Sequence, residues 1–176
     1  MLAQRAAQRK PKDPEAWNAL AVAYSMSGKD RQATETFLKS LEAFPKHRRL
    51  KLNAAAHFGK LKDWPRAETQ ARAALAMPPQ DGIARSLLAT LLLRQGRTQE
   101  GEQELLRLTR ERPEDPGPHF VLGKVRMGQK NVAGARAAFE EAARIRPKEP
   151  LPQIYIGMTY LLSNDLPGAE RSYEKA

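Results

Sequence analysis

Residues 14–47 read PEAWNALAVAYSMSGKDRQATETFLKSLEAFPKH. Asp13 stands before Pro14, the order of a helix N-cap acceptor followed by a proline at the first helical position. Apolar residues then recur at helical spacing, a break follows at Gly28, and a second apolar stripe runs on until Pro45 ends it. This stretch therefore predicts two consecutive helices.

The same pattern returns along the chain with a period of 34 residues. The prolines that end the units follow that interval: Pro11, Pro45, Pro79, Pro113 and Pro147. Only alanine or glycine occupies two further positions, one in each predicted helix: Ala21, Ala55, Ala89, Gly123 and Gly157, and then Ala33, Ala67, Gly101, Ala135 and Ala169. Small residues let two helix backbones approach closely, and a large ring fills the space beside them. A fixed period of this kind is the signature of a repeat architecture.

The residues that recur in each unit resemble those of the tetratricopeptide repeat. In the first unit they are Trp17, Leu20, Ala21, Tyr24, Gly28, Ala33, Phe37, Leu41 and Pro45. The resemblance covers the whole chain and implies an all-α, right-handed superhelical solenoid of antiparallel helix pairs. We expect one array of five repeats with a leading half-repeat, divided as follows: 1–13 as the tail of a preceding repeat, then 14–47, 48–81, 82–115 and 116–149, and a truncated repeat at 150–176.

The two ends of the array suggest that it continues beyond this sequence. Residue 176 falls inside a second helix of the register, and no polar capping helix follows, although solenoid termini normally carry one. We therefore expect a piece of a longer protein without its native N-terminus. The compartment stays open between the cytoplasm and the periplasm.

Composition excludes several classes of protein. A hydrophobic content of 41% is too high for a disordered chain, and no run approaches the length of a membrane span. The absence of cysteine excludes a disulfide scaffold, a thiolate zinc site and a cysteine nucleophile. The abundance of alanine and arginine is typical of a GC-rich bacterial genome.

No motif in the sequence predicts catalysis, a metal site or a cofactor. His47, His57 and His119 lack metal-ligand spacing, so we expect each to be structural or solvated. The segment from Gly123 to Lys130 faintly resembles a phosphate-binding loop, but it lacks the preceding strand and the Lys-Ser/Thr ending, and the repeat already explains its glycine. We therefore expect no enzymatic activity from this segment.

The net charge of +10 is unevenly distributed. Residues 1–100 hold 18 basic and 9 acidic side chains, whereas residues 101–176 hold 12 and 11. The basic stretch 46–62 contains no acid, and we favour a solvated turn and helix start over a binding surface for acidic protein, anionic lipid or nucleic acid. Nucleic acid is disfavoured because no exposed aromatic residues alternate with the charges.

In the family that the chain resembles, the first helices line a concave groove. The resemblance implies the following partner-binding residues: Asn18, Arg49, Leu52, Asn53, Lys60, Ser86, Thr90, Arg94, Phe120, Lys124, Met127, Ile154 and Met158. Glu15 is the one acid at these groove positions, so we expect a basic groove that becomes apolar toward the C-terminal end. The dicarboxylate clamp of chaperone-tail binders is rejected, since Asn53 matches it but the neighbouring Val22 and Leu87 do not.

We therefore expect a protein-interaction scaffold that binds a peptide or helix, acidic and amphipathic, in the groove. One alternative is an assembly or export scaffold that binds through its edges or its convex face, or by self-association. Another is a regulatory segment of a larger enzyme. Partner identity and oligomeric state are left open.

Overall fold

The computed structural model describes residues 12–79 and 82–176, so most of the expected tail of a preceding repeat lies outside the described residues. The described residues form ten helices and no strands, which confirms the predicted all-α fold. The helices are α1 (Pro14–Met26), α2 (Asp30–Ala43), α3 (Arg48–Lys60), α4 (Trp64–Leu75), α5 (Ile83–Arg94), α6 (Thr98–Glu111), α7 (Pro116–Gly128), α8 (Val132–Ile145), α9 (Pro150–Leu162) and α10 (Leu166–Glu174).

The odd-numbered helices are the predicted first helices, and the even-numbered ones are the second helices. The N-caps form as the sequence predicts: the Asp13 carboxylate accepts the N–H of Glu15 at 3.0 Å, and Asp115 accepts the N–H of Gly117 at the same distance. Such caps satisfy backbone donors that the first turn leaves without partners. The repeat boundaries themselves stay a prediction.

The chain divides into two compact units, an N-terminal unit (Met1–Gln95) and a C-terminal unit (Gly96–Ala176). In the N-terminal unit, consecutive helices from α1 to α5 pack on each other, and α3 also contacts α1 and α5. Its core is built around Phe37, Leu50 and Phe58, which are almost fully buried.

In the C-terminal unit, consecutive helices from α6 to α10 pack on each other. The buried residues Ala135, Phe139, Ala143 and Ile156 form a cluster between α8 and α9. Small residues are required here for close packing, as predicted from the period. A Cβ atom at Gly123 would clash with the Phe139 ring. The ring has no free space to move into, because Phe139 is fully buried in a closely packed core.

Across residues 12–79 and 82–176, no helix is both long enough and apolar enough to cross a bilayer. The same residues hold no group of three side chains suited to bind a metal ion.

Candidate functional site

In the N-terminal unit the first helices α1 and α3 pack against each other and enclose a pocket of about 190 Å³. The pocket is lined by Val22, Ser25 and Met26 from α1, by Asn53, Ala56, His57 and Lys60 from α3, and by Phe37 from α2. Two predicted partner-binding residues, Asn53 and Lys60, are thus brought to one place. Met26 is 84% exposed at this pocket, although large apolar side chains are normally buried.

His57, which lines this pocket from α3, forms hydrogen bonds to α1 and α2. Its Nδ1 is 2.8 Å from the Ser25 hydroxyl of α1, and its Nε2 is 2.9 Å from the Thr34 hydroxyl of α2. The ring also packs against Phe37 at a centroid distance of 5.2 Å. A hydroxyl can donate or accept, so both ring nitrogens are satisfied in either neutral tautomer.

The environment of His57 favours the neutral ring. Burial lowers the pKa of His57 below its ordinary value, the Asp30 carboxylate raises it, and the Lys60 ammonium lowers it. Burial has the largest effect of the three, and it lowers the pKa by disfavouring the charged form of the ring. Of the two expected roles, structural or solvated, the burial and the hydrogen bonds of His57 favour the structural one, and its place in the pocket was not predicted. The signal was a polar residue at a position that carries Leu91 and Val125 in the next two units.

An amide pair lies beside the pocket. The Asn53 Nδ2 group donates to the Asn18 Oδ1 atom at 2.8 Å, and Asn18 is only 3% exposed. This bond fixes the orientation of the Asn53 amide and uses one of its two N–H donors. The Asn53 Oδ1 atom keeps no partner among the described residues, so it can accept a hydrogen bond from a ligand.

Two of the three predicted groove cations of this unit, Arg49 and Lys60, form ion pairs. The Arg49 guanidinium is 3.4 Å from the Glu15 carboxylate. The Lys60 ammonium lies 2.8 Å from Asp30 and also donates to the Ser25 backbone carbonyl at 3.1 Å. These contacts bring acids from the preceding hairpin to the basic side chains, so the groove charge of this unit is partly compensated.

The other predicted residues of this unit lie on α3 and α5. Leu52 is half-buried on α3. Ser86, Thr90 and Arg94 follow one another at four-residue intervals on one exposed face of α5. The Thr90 hydroxyl donates to the Ser86 carbonyl at 2.9 Å, and the Arg94 guanidinium lies 5.7 Å from the centre of the Trp64 ring. Backbone and ring contacts therefore occupy two of these three side chains.

The predicted apolar residues of the C-terminal unit are partly used for packing. The Phe120 ring lies 5.5 Å from the Phe139 ring and meets Tyr155 edge-on at 5.1 Å. Met127 packs against the same cluster. Both residues are half-buried, so they contribute to the core as well as to the surface.

The remaining predicted residues of this unit reach solvent to different extents. Ile154 is half-buried, whereas Met158 is 39% exposed on the same face of α9. Lys124 is exposed on α7 and has no ion-pair partner in the described part of the chain. Arg94 also lacks an ion-pair partner among the described residues, but it contacts the Trp64 ring.

Several solved structures share this fold. The type IV pilus biogenesis factor PilW aligns with a TM-score of 0.80 and 19% identity, over 97% of this chain and 79% of PilW. Pseudomonas aeruginosa PilF aligns at 0.74 and 23%, over 92% and 74% of the two chains. YrrB aligns at 0.70 and 16%, over 99% and 90%.

Protein-family models give a family assignment that agrees with this fold. No curated protein sequence matches the chain significantly. One tetratricopeptide repeat model matches residues 52–116 and 105–150, which together span more than half of the chain, and a second model of the same name matches residues 2–35. The resemblance seen in the sequence is thereby confirmed: the chain belongs to the tetratricopeptide repeat family.

Proposed function

We propose that this chain is a protein-interaction scaffold that binds a peptide or helix, amphipathic and acidic, along its first helices. The observation that carries the proposal is the pocket between α1 and α3, where Met26, Asn53 and Lys60 meet. Apolar surface, a fixed amide acceptor and a cation within one concave site suit a peptide with an apolar anchor and an adjacent acid.

Apolar contacts should supply most of the affinity. The pocket of about 190 Å³ has room for one aliphatic side chain, with Val22, Ala56 and the exposed Met26 as its walls. Binding energy at protein interfaces is concentrated in a few buried anchors, and methionine adapts its shape to the side chain that enters.

The acidic character of the ligand rests on charge. The chain carries +10, and Lys60 lines the pocket. Asp30 shares the Lys60 ammonium, so a ligand carboxylate gains less there than it would from a free lysine. We expect such charges to act mainly on the association rate and to be screened by salt.

The family supports the broader part of this proposal. Tetratricopeptide repeat proteins bind peptides or proteins and are generally not enzymes. YrrB is described as having an unusual peptide-binding site. At 16% identity this likeness shows a shared fold, so the site itself must be tested by experiment.

The test uses a short blocked peptide that carries leucine and glutamate on opposite faces. Trp17 and Trp64, the two tryptophans of the chain, both lie in the N-terminal unit, and their fluorescence reports binding there. Met26→Ala should weaken binding by about tenfold or more, because it removes an exposed wall of the pocket. Leu38→Ala is the control, since Leu38 is also exposed but lies on α2 outside the pocket.

Equal affinity of the wild type and Met26→Ala would remove the α1–α3 pocket from the mechanism. A peptide with lysine in place of glutamate should bind more weakly at low salt. Tighter binding of the lysine peptide would contradict the acidic character while leaving the pocket in place.

A second candidate function is assembly by self-association, as expected from the alternative interpretation of the sequence. The C-terminal unit exposes Leu161, Leu162 and Leu166 by 47%, 62% and 64%. Exposed apolar residues grouped in this way often mark an interaction surface. Sedimentation over a range of concentrations tests this candidate, and Leu162→Glu should abolish any association that is observed.

A further inference from the structure

A second pocket lies in the C-terminal unit, among α8, α9 and α10. Its volume is about 300 Å³. It is lined by Glu140, Ala143 and Arg144 of α8, by Gln153, Ile156 and Tyr160 of α9, and by Gly168, Arg171, Ser172 and Lys175 of α10 and its C-terminal end. Ile156, Ala143, Gly168 and Ser172 are buried, and the charged side chains are exposed.

Small side chains line part of this pocket. Three lining residues are smaller than their counterparts three periods earlier: Ala143 stands for Leu41, Gly168 for Arg66, and Ser172 for Gln70. In the N-terminal unit, Leu41 packs against the core and the Arg66 guanidinium lies 5.9 Å from the centre of the Phe58 ring. At these three positions the C-terminal unit carries the smaller side chain.

The rim of this pocket carries excess positive charge. Three cations and one carboxylate line it, and Arg144 is already bound to Glu141 at 2.9 Å. Arg171 and Lys175 have no ion-pair partner in the part of the chain that the structure describes. They lie four residues apart, so both project from the same side of α10.

This pocket is separate from the predicted groove residues of α9. Residues two positions apart on a helix differ in direction by about 200°. Ile156 and Tyr160 therefore face away from Ile154 and Met158. A ligand in this pocket would contact none of the predicted groove residues.

We propose that this pocket is a second binding site, for an acidic peptide segment that carries an apolar side chain. The apolar side chain packs on Ile156 and Tyr160, and a neighbouring carboxylate lies between Arg171 and Lys175. The site goes beyond the groove proposed above, because it combines the second helices α8 and α10 with another face of α9.

The chemistry of the pocket favours a peptide over other anions. The apolar floor gives no contact to a small inorganic ion but can bury an aliphatic side chain. The guanidinium of Arg136 covers one face of the Tyr160 ring at 3.7 Å, so a ligand side chain can contact only the rest of this ring. Two unpaired cations are also fewer than the clusters that recruit anionic membranes.

The experiment follows backbone amide signals of the isotope-labelled chain during titration with a blocked peptide of alternating glutamate and leucine. The Gly168 and Ser172 amides should shift, because both residues line the pocket. The same peptide with glutamine in place of glutamate, and inorganic phosphate alone, are the comparison ligands. We expect both to shift these amides much less.

Two variants test the site independently. Arg171→Glu with Lys175→Glu should weaken the response at these amides at least fivefold at low salt, since both side chains are exposed and the fold should persist. Ala143→Leu restores the residue found at position 41 and should block the pocket. Lys148→Glu changes the net charge at an exposed lysine outside the pocket and should alter the affinity less than twofold.

The proposal would be overturned if the peptide shifted the Gly168 and Ser172 amides equally in the wild type and in the Arg171→Glu, Lys175→Glu variant. It would also be overturned if this variant and Lys148→Glu weakened the response by the same factor. Shifts confined to Ile154 and Met158 would overturn it as well, because the peptide would then occupy the groove face. An equal response to phosphate alone would leave no role for the apolar floor and would reject a peptide ligand.

Discussion

The two units differ in the polar contacts that join a second helix to the next first helix. In each, a second helix crosses the first helix of the next pair, α2 on α3 and α8 on α9. Three periods separate Thr34 and His57 from Arg136 and Thr159, which occupy equivalent positions at these crossings. The first crossing is joined by a hydroxyl bonded to a neutral imidazole, the second by a guanidinium.

The guanidinium of Arg136 makes more contacts than the imidazole. Its Nε donates to the Thr159 hydroxyl at 3.0 Å, and its Nη2 donates to the Thr159 carbonyl at 3.2 Å and to the Ser163 hydroxyl at 3.0 Å. Its Cζ lies 3.7 Å from the centre of the Tyr160 ring. Arginine stays charged at any physiological pH, whereas histidine titrates near neutrality. The first crossing should therefore respond to pH and the second should not.

The largest effect on the free energy of unfolding should come from the phenylalanine that each crossing carries at the same position. Phe37 and Phe139 occupy the same position of the period, and both are fully buried. Phe37→Ala and Phe139→Ala should each lower the free energy of unfolding by about 3–5 kcal/mol, because each leaves a cavity. Urea denaturation followed by circular dichroism measures the loss. A loss in only one variant would show that the apolar packing of the crossings also differs.

A smaller effect is expected from the guanidinium. Arg136→Met keeps the length of the stem but removes three hydrogen bonds and the contact with the Tyr160 ring. We expect a loss of about 2 kcal/mol in the free energy of unfolding, unchanged between pH 5 and pH 8. Arg110→Met is the control, because Arg110 is exposed and has no partner among the described residues. Equal losses in the two variants would mean that the contacts of Arg136 contribute nothing.

The 34-residue period predicted the helices and small residues that the two crossings share, but it did not predict the polar contacts in which they differ. Helix type, helix starts and the small positions recur every 34 residues, since backbone packing imposes them on every unit. The pair Glu15 and Arg49 was also within reach of the sequence, because the two stand one period apart.

The polar contacts at the crossings could not be predicted in this way. His57 bonds residues 32 and 23 positions away on two different helices, so the length and rotamer of each side chain decide the contact. Phe120 illustrates the same limit, since its register position predicted a groove residue and three-dimensional packing placed it half in the core.

The next effect in size is the pH dependence of the first crossing. Burial holds the pKa of His57 below its ordinary value in the folded chain, so the unfolded chain binds more protons as the pH falls. The stabilisation is present above about pH 6.5, the unfolded value, and is lost as the pH falls through the folded pKa. Urea denaturation followed by tryptophan fluorescence, which reports the N-terminal unit, should give a lower midpoint at pH 5 than at pH 7.5.

His57→Gln sharpens this prediction. Glutamine keeps one hydrogen bond and cannot titrate, so the variant should lose about 1 kcal/mol at pH 7.5 and show a flatter dependence on pH. An equally steep dependence in the variant would assign the effect to other groups of the N-terminal unit. The second crossing would then no longer differ from the first in its response to pH.

The smallest effect concerns how the two units hold their groove lysines. Lys60 is bound to Asp30, whereas Lys124 has no ion-pair partner in the described part of the chain. Lys60→Gln leaves the Asp30 carboxylate uncompensated beside the pocket and should repel an acidic peptide, whereas Lys124→Gln removes only an attraction. We expect a three- to fivefold fall in the association rate for the first variant and a twofold fall or less for the second. Stopped-flow fluorescence with the labelled acidic peptide measures both rates.

The difference between the two variants should disappear at high salt, because the screening length shortens from ~10 Å at ~0.1 M to ~3 Å at ~1 M. A difference that persists at high salt would mean that Lys60 acts by shaping the pocket through Asp30 and the Ser25 carbonyl, and the contrast in charge between the units would lose its role in binding.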